Sequence, residues 1–451
     1  MSPQDVIASG QCIGCGLCAS REPAAAMEFD QDGHLKPRGP EAWLTAPSAR
    51  FAASCPFSPA AVDEDVIAAS LWPDAPHVNP WIGRHRSAWV GHGPDDLRMN
   101  GSSGGLVTWI AGELLRQGLV GGVAHVAPTH RATGRLFSYT ISRRMADLRA
   151  GAKSRYYPID LAEVLREIRA SPGRYAVVGV PCFIKAVQLA RRSEPVLAER
   201  IAFTVGLFCG HLKSARMSES FSAQMDLPPA RMAAIDYRRK DASRPANWYT
   251  AEIVADDGSV RSRDWWHLDE GDWGAGFFMN PACNWCDDVA AECADVALGD
   301  AWLEPWTSDG RGTNVVVVRS PVIEALVAQG LAEGRLTLQH VEADLVRQTQ
   351  AAGFRHRREG LAYRLALLQR RLFKPPIVPR KRVAPSVDLS VRRKLIYRAR
   401  WAVTRWSHVL HRRAPGLYHP WARRTLRLYQ ALAWSRGWLG AVLDRLLRPA
   451  A

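Results

Sequence analysis

Arg174-Tyr175-Ala176-Val177-Val178-Gly179-Val180-Pro181-Cys182 is a short apolar run, bounded by a proline, that reads as a buried strand passing into a helix over 183–192. The same design follows in Ile201-Ala202-Phe203-Thr204-Val205-Gly206-Leu207-Phe208, ending at Cys209-Gly210-His211, with a helix from about Ser214. Two strand–turn–helix units in succession imply a parallel sheet, whose ligand sites lie at the carboxyl ends of the strands. Cys182 and Cys209 both fall at that edge. A lone cysteine is commonly a small core residue, but two placed alike are candidate ligands.

Further along the chain, Pro281-Ala282-Cys283-Asn284-Trp285-Cys286-Asp287-Asp288 carries a C-x2-C pair, half of a metal site that needs two more ligands. Cys182 and Cys209 are available to supply them, giving a candidate iron–sulfur cube. Cys293 is left over. At the other end of the chain Cys12-Ile13-Gly14-Cys15-Gly16-Leu17-Cys18 has the C-x2-C-x2-C spacing of a bacterial ferredoxin loop. Glu22-Pro23 stands where such a loop places its next cysteine, the ligand of a second ferredoxin cluster. Cys55-Pro56 offers the fourth thiolate for the remaining cube. Zinc held by three or four cysteines is the competing reading. The short three-cysteine loop and the Cys-Pro favour the cube.

Four further stretches carry chemistry or bound the body. Asn100-Gly101-Ser102-Ser103-Gly104-Gly105 runs into an apolar helical stretch that ends near Gly118, with Ser102 or Ser103 as helix cap and a phosphate-binding N-terminus as the functional reading. Gly151-Ala152-Lys153-Ser154-Arg155-Tyr156-Tyr157-Pro158 sets cations beside aromatic rings in a loop before a helix over 161–170. Tyr249 to Trp266 reads as a hairpin turning at Asp257-Gly258, and Asn314 to Val318 as another buried strand, followed by a helix over 322–329.

The 451-residue chain is long enough for several domains. Its first residues show no secretion signal and no run reaches the length of a membrane span, so a cytoplasmic location in reducing conditions is expected. The 59 Lys and Arg exceed the 44 Asp and Glu by 15, and the whole surplus lies in residues 380–451. There, beyond a proline-rich linker from Pro375, Trp401, Trp406, Trp421, Trp434 and Trp438 alternate with arginines. That pattern suggests amphipathic basic helices able to meet a partner protein or the inner membrane surface. Nucleic-acid binding has no support from the neutral body.

Taken in order, these motifs resemble the coenzyme F-420 hydrogenase/dehydrogenase beta-subunit family, iron–sulfur flavoproteins that include 7-hydroxymethyl chlorophyll a reductase. The resemblance spans roughly residues 8 to 370. It rests on the Cys12 to Cys18 run, Ser103-Gly104-Gly105, Lys153-Ser154-Arg155-Tyr156, Gly179-Val180-Pro181-Cys182, Phe208-Cys209-Gly210, Cys283 to Asp288, and Ala294 to Trp302. It implies FAD, with Ser102, Ser103, Gly104, Gly105, Lys153, Ser154 and Arg155 as its candidate site. It also implies two 4Fe-4S clusters, the second on Cys182, Cys209, Cys283 and Cys286.

The expected architecture is mixed α+β and α/β. A ferredoxin-like 4Fe-4S module occupies residues 1–60, a linker runs to Pro80, an α/β flavin-binding body spans 81–370 and a helical basic tail spans 380–451. The expected activity is an FAD-dependent oxidoreductase taking electrons from ferredoxin or reduced coenzyme F-420 to a small-molecule substrate, with surface-polysaccharide chemistry as one implied setting. His211 is the candidate proton donor. The alternative is a non-catalytic electron-transfer subunit that docks through its tail.

Overall fold

Every side chain of the strand Tyr175–Gly179 is buried. Ala176 and Val178 join one apolar cluster, Tyr175 and Val177 another, because successive residues of a strand point to opposite faces. A strand covered on both faces belongs inside a layered α/β arrangement. The computed structural model, which describes residues 1–129, 134–369 and 382–447, places it there. An eight-stranded sheet runs in the order Thr337–His340, Ser87–His92, Asn314–Val318, Val296–Asp300, Ile201–Leu207, Tyr175–Gly179, Gly122–Pro128, Phe137–Ser142. From Val296–Asp300 to Gly122–Pro128 neighbouring strands are parallel. The outer pairings are antiparallel.

The helices Leu106–Arg116 and Pro321–Ala332 cover one face with Trp109, Ile110, Leu114 and Leu326. Ala162–Ala170 and Pro181–Ser193 cover the other with Leu165, Phe183 and Val187. Pro181 sits at the start of its helix, where the missing N–H costs nothing, and so delivers Cys182 to the carboxyl end of the strand. Ile13, Cys15 and Leu17 belong to this second cluster, and the Leu161 amide donates to the Cys15 carbonyl at 2.9 Å. The amino-terminal cysteine loop is thus built onto the helical layer of the body. Its hairpin, Ala26–Phe29 against Leu35–Arg38, turns through Asp30 to Gly33, with Asp30 Oδ1 accepting from the Asp32 and His34 amides.

Two expectations need correction. The stretch up to Pro80 is no simple linker: Glu64–Leu71 is a helix capped by Asp63, with Ile67 and Ala68 buried. Its alanine-rich composition conceals a short amphipathic repeat. Second, Ser102 and Ser103 do not cap the following helix. Gly105, at φ +77°, is the capping residue, because the chain must bend there against its own backbone.

The basic tail forms the helices Val391–Arg413, Pro415–Trp434 and Gly437–Leu446. They pack against the body: Ile396, Val403, Tyr418, Ala422 and Tyr429 share a core with Phe221, Tyr237, Ile253, Phe277 and Phe278. Residues 375–381 of the expected proline-rich linker lie outside the described residues.

Candidate metal centres and cofactor site

Gly14 and Gly16 give the Cys12–Cys18 loop its shape, both at φ +80°. A Cβ on Gly14 would stand 2.5 Å from the Leu35 carbonyl oxygen. The bend directs Cys12, Cys15 and Cys18 to one cavity of about 360 Å³, part of it open to solvent. The helix Ala49–Ser54 ends so that Cys55 lines the same space. Amides of Leu17, Ala19, Phe57 and Ser58 donate to the sulfurs of Cys15, Cys18 and Cys55. Burial nonetheless wins: it pushes the Cys55 thiol up to about 12 and those of Cys15 and Cys18 upward as well, with the neighbouring cysteines adding to it. Metal loading must therefore expel protons from these sulfurs. Glu22 accepts from the Ala24 amide at 3.2 Å and is not among the residues lining the cavity.

The second group assembles from distant segments. Cys283 lies in the short 3₁₀ turn Pro281–Trp285, with Cys286 directly after it. The Leu212 amide, beyond the strand Ile201–Leu207, donates to Cys283 Sγ at 3.3 Å. Cys182 is raised by burial first and then by Cys286, Cys209 and Cys283, so the four sulfurs share one neighbourhood. Arg357 lies among them. Burial opposes its charge, but the thiolates of Cys286, Cys209, Cys283 and Cys182 raise it further than burial lowers it. Its Nη2 donates to the carbonyls of Cys209 and Gly210 at 3.0 and 2.9 Å.

Three buried donors here, Arg357 Nε, Arg400 Nε and His211 Nε2, have no acceptor. Buried unpaired donors are costly, and sulfide or thiolate lone pairs are acceptors of the kind they lack. Among the described residues no three His, Cys, Asp or Glu side chains converge closely enough for a single metal ion.

The two groups adjoin. Cys182, Cys286, Glu64, Lys185 and Trp285 line a second cavity whose wall includes Pro56 and Phe57, which also line the first. Tyr139 lies by both groups, its phenol raised by burial and then by Cys182, Asp160 and Cys15, and it donates to the Val178 carbonyl at 2.9 Å. Cys293 stands apart, buried with Ile67, Ile184, Leu189 and Ala297. The charges acting on it are those of Glu64, Asp288, Lys185 and Glu292.

His211 is 3% exposed. It stacks on Trp273 at 4.3 Å, and Arg400 Nη2 lies 3.1 Å from its Nδ1. Burial, then Lys213, Arg400 and Arg357, hold the imidazole far below its usual range. With Nδ1 facing an arginine donor, the single proton belongs on Nε2. Trp273 in turn meets Tyr156 at 4.8 Å, so one aromatic ring, Trp273, stands between His211 and the loop that carries Lys153, Ser154 and Arg155.

That loop and the serine turn meet: the Ser154 amide donates to Ser102 Oγ at 2.8 Å. Lys153 holds φ +112°, a strained backbone of the kind found where a side chain is aimed for function, and pairs with Asp236 at 3.2 Å. Arg155 lies over the Phe137 ring at 4.8 Å. The buried Nε of Arg155 has no acceptor, which fits an anionic group between these loops. Ser103 Oγ donates to the Thr313 carbonyl at 2.9 Å, and its own carbonyl accepts from Lys240 Nζ at 2.9 Å.

Gly104 and Gly105 serve packing: a Cβ would meet Asn314 Oδ1 at 2.8 Å in the first case and the Arg98 nitrogen at 2.6 Å in the second. The Leu106 amide is taken by Asn314 Oδ1, so one helix N-terminal donor is already satisfied. Gly105→Ala is expected to cost ~2–4 kcal/mol, from a left-handed φ and a backbone clash together; thermal unfolding measures it.

Arg357, Arg400, Lys213 and Lys185 are not legible in the sequence as site residues. Arg357 sits in the basic run Arg355-His356-Arg357-Arg358, which reads as a solvated face. Arg400 sits in the tail.

Two family models match the chain, both of the beta subunit of coenzyme F420 hydrogenase/dehydrogenase: its N-terminal part over residues 88–166 and its C-terminal part over residues 173–344. Together they cover more than half of the chain, including Ser102 to Gly105, Lys153 to Arg155 and the five cysteines from Cys182 to Cys293. The Cys12–Cys18 loop and the tail lie outside both. None of the curated proteins compared matches the chain. Among solved structures it is similar to a chain of the F420-reducing NiFe hydrogenase complex from Methanosarcina barkeri, at 16% identity and a TM-score of 0.49, covering 65% of this chain and 96% of that one. The chain belongs to the coenzyme F420 hydrogenase/dehydrogenase beta-subunit family, and its role is a redox one.

Proposed function

We propose that the protein is an iron–sulfur flavoprotein oxidoreductase, drawing electrons from ferredoxin or reduced coenzyme F-420 and delivering them to a small-molecule substrate, with a surface-polysaccharide precursor as one substrate class. The observation that carries this reading is the convergence of Cys12, Cys15, Cys18 and Cys55 on one cavity whose Pro56–Phe57 wall also bounds the cavity of Cys182 and Cys286. When bound, 4Fe-4S clusters carry single electrons and FAD couples them to two-electron chemistry.

The residues of the chain do the rest. The amides of Leu17, Ala19, Phe57, Ser58 and Leu212 hold the thiolates by hydrogen bonds. Phe57, Phe51 and Met27 give the first cavity an apolar wall. Lys153 and Arg155 offer cations to the cofactor's phosphates, and Ser102 fixes the Ser154 turn. His211, the candidate proton donor, offers its Nε2 hydrogen near Cys209 in the chain, with no acceptor of its own.

Anaerobic purification should yield about eight irons and one FAD per chain. Zinc in place of iron, or no flavin, would overturn the reading. Lys153→Gln should weaken FAD retention about tenfold, the loss of one charge-assisted contact of ~1.4 kcal/mol, with iron content unchanged; flavin released on gel filtration reads it out.

The second reading, an electron-transfer subunit that acts only with a partner or at a membrane surface, is favoured by the exposed Trp and Leu side chains of the tail. Turnover that appears only when a partner is added would select it.

A further inference from the structure

The three tail helices bury one side and leave the other unusual. On Gly437–Leu446 the residues Trp438, Val442 and Leu446, spaced i, i+4, i+8, lie on one face. They are 79%, 38% and 73% exposed. On Pro415–Trp434, Leu417 and Leu428 are 65% and 57% exposed and share a face with the exposed Arg424. On Val391–Arg413 the outer side carries Arg398, Arg405 and Trp406, all exposed. From residue 391 to 447 the sole acid is Asp444, which is taken by Arg392 at 2.5 Å.

We infer that this outer side is a docking surface for an anionic lipid bilayer, with the Gly437–Leu446 helix lying in the plane of the interface. The inference deepens the docking reading given above, and its test is separable from that of the cofactors.

The charge argues for an anionic occupant, since every exposed ionic group on these faces is an arginine. The form argues for lipid over a folded protein. A folded partner would be met by a fitted apolar core, where Trp and Arg gather together. Here the exposed Trp and Leu side chains are spread over three helices with exposed arginines between them, the residue types of interfacial helices. Trp prefers the headgroup level, and arginine can lay its stem along apolar surface while its head stays at the phosphates. Among the described residues no helix is long and apolar enough to cross a membrane, and the last one has 10 residues. Lying flat is what remains to a helix of that kind. The inward faces meanwhile anchor to the body through Tyr418 to Glu270 at 2.7 Å and Arg400 to His211, so docking would set the cysteine groups at a fixed height above the bilayer.

The test is flotation of the full-length holoprotein with vesicles of phosphatidylglycerol and phosphatidylcholine in equal parts, against phosphatidylcholine alone. Binding to the first and not the second is expected, falling steeply between 0.05 and 0.5 M NaCl as screening shortens to a few Å. The double variant Trp438→Ala, Leu446→Ala should bind at least about tenfold more weakly, and Arg424→Gln with Arg445→Gln should weaken binding and lower its salt dependence without abolishing it, since Arg398 and Arg405 remain. All four side chains are exposed, so retained iron and flavin absorbance will report an intact fold. Equal binding to both vesicle types, no binding to the anionic ones, or variants without effect would overturn the inference. So would a stoichiometric complex with a soluble protein that is lost in the Trp438→Ala, Leu446→Ala variant. An absence of flavin with lipid binding intact would instead count against the oxidoreductase reading alone.

Discussion

Replacing Cys283 by alanine is expected to halve the bound iron, from about eight atoms per chain to about four, while the Cys12–Cys18 site keeps its share. The sulfur accepts the Leu212 amide at 3.3 Å and shares its surroundings with Cys182, Cys209 and Cys286. A cube that loses one of four thiolates in a buried site has no water-accessible substitute ligand. Cys293→Ala is the matched control: the two cysteines are ten positions apart and both buried, but Cys293 packs with Ile67, Leu189 and Ala297. It should keep all its iron and lose only ~1 kcal/mol of stability from the small void left behind. Iron analysis and the low-temperature paramagnetic resonance of the reduced protein separate the outcomes. A Cys293→Ala protein that loses iron while Cys283→Ala keeps it would exchange their roles.

Arg357→Gln is expected to lower the reduction potential of the centre proposed at Cys182, Cys209, Cys283 and Cys286. Reduction adds a negative charge there, and Arg357 is a buried cation among those same thiolates. At a separation of ~6 Å and an effective dielectric of ~20, one unit charge contributes ~3 kcal/mol, or ~120 mV for a one-electron couple. Arg357→Lys keeps the charge and loses the fork to the Cys209 and Gly210 carbonyls, so it should recover most of the shift. Potentiometric titration reads this directly. An unchanged potential in the glutamine variant would mean that Lys213 and Arg400 dominate the local field.

Local signals are enough for three of the sheet's strands and to single out candidate metal ligands. Tyr175–Gly179, Ile201–Leu207 and Asn314–Val318 are short runs of apolar residues between turn formers, and the structure realises each as a buried strand. C-x2-C-x2-C and C-x2-C are equally local, because a loop of a few residues fixes where its sulfurs can point. Composition, by contrast, misleads once: an alanine-rich stretch reads as a linker and is the helix Glu64–Leu71. The basic tail is helical, but its charge surplus does not tell that its helices bury Tyr418 and Ala422 completely against the body.

The order of residues alone settles which cysteines are candidate ligands, that Cys182 and Cys209 end parallel strands, and that Ser102 and Lys153 sit in turns. It takes the folded chain to show that Cys55 completes the first loop's cavity, that Arg357 and Arg400 face the second group, and that Ser102 touches Ser154. The physical reason is range. Backbone propensity and ligand spacing act over a few residues and can be read in order along the chain. The electrostatic surroundings of a buried thiolate come instead from segments far apart in sequence, such as 209, 283, 357 and 400, which meet only when the sheet and the tail helices have packed.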